Sequence, residues 1–129
     1  MASPVTTSPD TAAQEQQLLG RLLHLYQVQQ QLYGEVLDLS RRQCELVRQG
    51  APLVEIRRVL EAKKSRLAAV GNLDRDALAA REAWRRGRHS WTAAGRAQLH
   101  QALTAVGQAI EEILACEQEN DRELLQRCR

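Results

Sequence analysis

No proline interrupts the chain between Pro9 and Pro52, and apolar residues recur through that span at helical spacing. Residues 11–49 can therefore form one helix, roughly 58 Å long at about 1.5 Å per residue. Asp10 can cap its start with a carboxylate, and Gly50 accepts the left-handed conformation that ends a helix. Positions 18, 22, 25, 29, 32, 36, 39, 43 and 46 keep the alternating four- and three-residue spacing of a packed seam. They read Leu, Leu, Leu, Gln, Leu, Val, Leu, Gln and Leu. A second stripe runs beside it: Leu19, Leu23, Tyr26, Tyr33, Leu37, Cys44 and Val47. Together they cover about 200° of the helix surface, against the ~100° of an ordinary surface helix. A two-stranded coiled coil needs only a narrow seam. The width predicts contact with two or more neighbouring helices.

Pro52 suits the opening turn of a second helix, where its missing N–H costs nothing. That helix carries Leu53, Ile56, Val59, Leu60, Leu67, Val70 and Leu73. Gly71-Asn72 could end it, with Asn72 or Asp74 capping a new one; at about 1 kcal/mol for the glycine it can also continue. The continuous reading, helix to about Arg85, is adopted. Residues 86–91 then form a connection, and a third helix starts near residue 92 with Ser90 or Thr92 as its cap. Its seam is Leu99, Leu103, Val106, Ile110 and Ile113, with Leu114 beside it. The expected fold is all-α: three long antiparallel helices, about 11–49, 52–85 and 92–127, in an elongated bundle or coiled-coil hairpin. Residues 11–129 form a single domain, and the Ser-, Thr- and Pro-bearing residues 1–10 read as a disordered lead.

Composition agrees with helices. Leu and Ala supply 19 and 18 of the 129 residues, Phe is absent, and the aromatic residues number four. A sheet would need more β-branched and aromatic residues. A net charge of +2 is too balanced for a dedicated nucleic-acid binder. No apolar run approaches the ~20 residues of a membrane span, and the N-terminal residues have neither the basic start nor the apolar stretch of a secretion signal. Three widely spaced cysteines, Cys44, Cys116 and Cys128, form no CxxC and no disulfide framework. Reduced thiols in the cytoplasm are expected.

No signature of catalysis appears. His24, His89 and His100 have no metal-ligand spacing, the seven glycines form no phosphate loop, and no nucleophile turn is present. No metal, cofactor or enzymatic activity is expected. From Arg81 to Arg96 five arginines accompany one glutamate, flanking Trp84 and Trp91. Arginine with aromatic residues can grip phosphates and stack on bases. The plainer reading is a solvated connection with two Trp anchors on the bundle end. Residues 111–124 hold six acids and one arginine. With the two segments at opposite ends, a polarised rod is expected.

The third seam breaks at Glu117 and Asn120, with Asp121 adjacent. An unpaired buried carboxylate is costly, so this stretch is expected to outrun its partners or face water. Leu124 and Leu125 then form an apolar pair, either on a frayed end or on an amphipathic segment that a partner covers.

The segments Leu32-Tyr-Gly-Glu-Val-Leu-Asp-Leu39, Glu45-Leu-Val-Arg-Gln-Gly50, Leu53-Val-Glu-Ile56 and Leu60-Glu-Ala-Lys63 resemble the first hairpin of FlgN-type flagellar export chaperones. Glu117-Gln-Glu-Asn-Asp-Arg-Glu-Leu-Leu125 is similar to that family's polar stretch before a Leu pair. The resemblance implies a cytoplasmic helical chaperone. It would bind disordered terminal segments of the hook–filament junction proteins and deliver them to the type III export gate. It implies client-binding residues on the last helix, Val106, Ile110, Ile113, Leu114, Leu124 and Leu125, and on the first helix Tyr33, Val36 and Leu37. The competing expectations are a filament-cap-type chaperone and a non-catalytic helical bundle that associates with itself, a homodimer included.

Overall fold

A computed structural model of the protein describes residues 9–127. Three helices account for almost all of them: α1 (Pro9–Arg48), α2 (Leu53–Arg86) and α3 (Ala93–Arg127). The all-α architecture is as the sequence predicts, and no described residue is in a strand. The expected lead ends earlier than read, because Pro9 and Asp10 already lie in the first turn of α1. Residues 1–8, and Cys128, lie outside the described residues.

Gly50 ends α1 as predicted, at φ 65°. Its N–H donates to Val47 O at 3.1 Å and that of Ala51 to Leu46 O at 2.9 Å, the paired bonds of a Schellman stop. Helix α2 runs through Gly71-Asn72 without a break. Its stop at Gly87 is shaped by packing. Trp91 folds back, stacks on Trp84 with ring centroids 4.9 Å apart, and donates its indole N–H to Trp84 O at 2.6 Å. Thr92 caps α3, its Oγ1 accepting from Gly95 N at 3.0 Å. Glu15 of α1 completes this end: one carboxylate oxygen accepts from Thr92 N at 2.6 Å and Thr92 Oγ1 at 2.9 Å. A carboxylate beside a helix N-terminus is stabilised by the helix dipole as well.

Successive helices are antiparallel, so α1 and α3 run parallel. Glu15 meets Thr92 at one end, and Arg48 meets Glu123 at the other. Helix α1 packs against both partners, whereas no Cα of α2 comes within 8 Å of one in α3. The wide arc of α1 is thereby explained.

The buried seam of α1 is not the one that apolar spacing suggests. It runs Glu15, Leu19, Leu22, Tyr26, Gln29, Val36, Ser40, Gln43 and Val47, in heptad steps with half-buried Tyr33 filling the gap. Of the nine expected positions, 22, 29, 36 and 43 lie on this seam and Leu46 is buried beside it. The others give way to residues from the second stripe and to polar side chains that hydrogen-bond across helices. On α3 the seam is Gly95, Leu99, Val106, Ile113 and Asn120, with Ala102, Ala109 and Cys116 half-buried between them. Leu19, Leu22, Tyr26, Ala80, Leu99 and Val106 form one core cluster; Val36, Leu37 and Ile113 form a second.

The polarised rod does not form. The basic ends of α1 and α2 lie beside the acidic end of α3. Residues 31–69 and 106–129 together carry eleven bases and eleven acids. Arg48 reaches Glu123 at 3.1 Å and Glu119 at 3.9 Å.

A Cβ at position 87 would sit 2.2 Å from the Trp91 ring. Gly87→Ala is therefore expected to displace the indole and destabilise the protein by about 1–3 kcal/mol, the usual cost of overpacking. Urea unfolding with tryptophan fluorescence checks this.

Candidate functional site

Because α2 and α3 diverge over α1, a groove opens between them. It has a volume of about 370 Å³ and is lined by Tyr33, Val36, Lys63, Leu67, Ile110, Ile113, Leu114 and Glu117. Val36 and Ile113 form its floor and are themselves buried. Leu67 stands on the α2 lip at 46% exposure; Ile110 and Leu114 stand on the α3 lip at 37% and 57%.

The lips extend beyond the groove. Leu53, Leu60 and Leu67 repeat every seven residues on α2, and Leu103, Ile110 and Leu124 lie on heptad positions of α3. Seven residues are close to two turns, and eleven are close to three. Leu78 therefore shares the face of Leu67, and Leu125 that of Leu114. All of these side chains are among the exposed large apolar residues. Among the described residues, every such residue is on α2 or α3 and none is on α1.

One end of the groove is polar. Lys63 is buried and donates to Gln43 Oε1 at 2.9 Å and to Glu117 Oε1. Ser40, fully buried, donates its hydroxyl to the same Glu117 oxygen. Asn120 donates to Ser40 O at 3.0 Å, while its own Oδ1 is buried without a partner. The expected solvent-facing break at Glu117 and Asn120 is thus a set of inward-pointing side chains. They are tolerated because α1 and α2 supply complementary polar groups at the same level. Asp121 does face solvent, as expected.

Burial acts to raise the Glu117 carboxyl. The hydrogen bonds from Lys63 and Ser40, with the Lys63 charge, overcome this and hold it below the usual carboxylate range. Burial raises the Tyr33 phenol, and Asp74 reinforces the shift. Burial likewise pushes up the Cys116 thiol, so it stays protonated at neutral pH. A protonated thiol is a poor nucleophile.

The groove collects Tyr33, Val36, Ile110, Ile113 and Leu114 from the sequence-based candidates. It does not collect the other four. Val106 was expected on the client face, but it packs into the core at 8% exposure. Leu37 is buried and borders a separate cleft with Ala105 and Ala109. Leu124 and Leu125 are exposed near the end of α3 and do not line the groove. Sequence reasoning missed Lys63, Leu67 and Glu117 as site residues, Glu117 standing out only as a break in the α3 seam. The signal available for Leu67 was the heptad of Leu53, Leu60 and Leu67. For Lys63 there was none, since a lysine on a helix ordinarily faces water.

No protein-family profile, curated protein or solved structure matches the chain. No helix among the described residues is long and apolar enough to cross a membrane.

Removing one partner of a buried pair commonly costs about 3–5 kcal/mol. Glu117 is about a third exposed, so Lys63→Met is expected to cost less, roughly 1–3 kcal/mol. Adding Glu117→Leu should recover much of that loss in urea titrations. A depressed folded pKa also contributes stability that is fully present above the unfolded value and lost in acid. Wild-type stability should fall as pH drops through and below about 4, and Glu117→Gln should flatten that limb.

Proposed function

We propose that the protein is a non-catalytic chaperone of amphipathic helical segments, an export chaperone of the FlgN type whose clients are flagellar hook–filament junction proteins. The observation that carries this reading is the open apolar groove between α2 and α3, edged by exposed leucines at heptad spacing. Such a surface suits a helix that presents apolar residues at positions i, i+3, i+4 and i+7. The similarity of the hairpin and the Glu117–Leu125 segment to that family supplies the class of client. On this reading Leu67, Ile110 and Leu114 grip the client's apolar side chains over Tyr33 and Val36.

A disordered client loses conformational entropy as it orders in the groove, which keeps affinity moderate and release easy. That is the behaviour required of a carrier that hands its cargo to an export gate. The groove edge carries Arg57 and Lys64 on α2 against Glu111 and Asp121 on α3, all exposed. A bound helix is therefore expected to be acidic on its α2 side and basic on its α3 side.

The test is co-purification with the host's own junction proteins, followed by calorimetry with their terminal peptides. Wild-type protein is expected to bind such a peptide. Leu67→Glu with Leu114→Glu is expected to lose binding by a hundredfold or more, on the order of two apolar anchors at ~1.5–3 kcal/mol each. Circular dichroism should show unchanged helicity, because both side chains are exposed. Binding by neither protein would reject the client class.

A further inference from the structure

We infer that the α2–α3 face is also a self-association surface, covered in the client-free protein by a second copy of this chain about a two-fold axis running along the bundle. This goes beyond the chaperone reading and does not depend on it.

The register of α2 against α3 is set by the contact between Lys63 and Glu117. Since the helices are antiparallel, residues whose numbers add to about 180 lie level. Eight of the ten exposed large apolar residues then fall into levels: Leu78 with Leu103, Leu67 with Ile110 and Leu114, and Leu53 with Leu124 and Leu125; Leu60 lies level with buried Asn120. A two-fold axis along the bundle lays α2 of one copy over α3 of the other, antiparallel and at the same height. Each of the eight then meets its level mate on the partner. Both copies present the same surface, as an isologous contact requires.

Charge selects this arrangement over the alternative. Arg57 and Lys64 flank the apolar stripe of α2, and Glu111 and Asp121 flank that of α3. None of the four forms an ion pair among the described residues. With the axis along the bundle, Arg57 lies level with the partner's Asp121. Lys64 falls between the levels of the partner's Glu111 and Asp121. With the axis across the bundle, α2 would face α2 and α3 would face α3, so like charges would meet, which is costly.

The size is also adequate. From Leu53 to Leu78 the stripe is roughly 38 Å long, and two helices side by side are roughly 20 Å wide. The face is thus on the order of 750 Å² per copy, against about 800 Å² per partner in a standard stable interface.

Sedimentation equilibrium on the full chain tests this. Wild type is expected to be a dimer, and Leu67→Glu with Leu114→Glu a monomer of unchanged helicity. Arg57→Asp alone should weaken the dimer about tenfold or more by setting like charges together. Adding Asp121→Arg to the same chain should restore it. These last two variants alter only exposed charges, so they probe the geometry without disturbing the core. A wild-type chain that stays monomeric throughout the micromolar range would overturn the inference. A dimer that survives the double leucine substitution would overturn it too, as would a charge-swapped double variant that fails to recover association.

Discussion

The ammonium of Lys63 is the sole hydrogen-bonded link between α2 and α3 among the described residues. Elsewhere each of these helices is held by α1. Lys63 reaches Gln43 on α1 and Glu117 on α3, and Glu117 in turn accepts from Ser40 on α1. The three helices are thus tied at one level by groups that would each be costly to bury alone. An apolar layer could slide by a heptad with little penalty, whereas a polar layer has one register in which its groups are satisfied.

Two further polar positions lie on the same α1 seam. Gln29 donates to Asp74 of α2, and Glu15 receives the N-terminus of α3. Polar levels therefore occur near both ends and the middle of α1, separated by the two core clusters. One consequence is the open groove. Since α1 alone supplies the common seam, α2 and α3 need not close on each other, and their flanking leucines remain uncovered. The functional proposal and the proposed dimer both rest on that single geometric fact: a bundle with three helices and a side on which a fourth would fit.

The length of α1 and its stop at Gly50 were legible in the residues, whereas Gly71-Asn72 allowed either a break or continuity and the tertiary structure decides for continuity. Helical propensity and turn chemistry act locally, and local signals survive in one dimension. The true seam of α1 was not legible. The expected spacing did include Gln29 and Gln43, but Glu15 and Ser40 also occupy the seam, and an apolar count passes over those two. The inward turn of Glu117 and Asn120 escaped for the same reason. Their acceptability depends on Ser40, Gln43 and Lys63, which are 54 to 80 residues away along the chain.

For the candidate site, the α3 residues Ile110, Ile113 and Leu114 and the α1 residues Tyr33 and Val36 came from the family resemblance, yet Val106 and Leu37 did not belong with them. Apolar side chains on one helix look alike in sequence. Whether they fill the core or edge a groove depends on how far the neighbouring helix stands off. The residues alone settle that this chain makes three long helices, because hydrogen bonds within each helix and the preferences of Leu, Ala, Gly and Pro act within a few residues. Only the tertiary structure decides which faces are spent on α1 and which remain for a partner. That choice is made by hydrogen bonds and packing between positions that no periodicity connects.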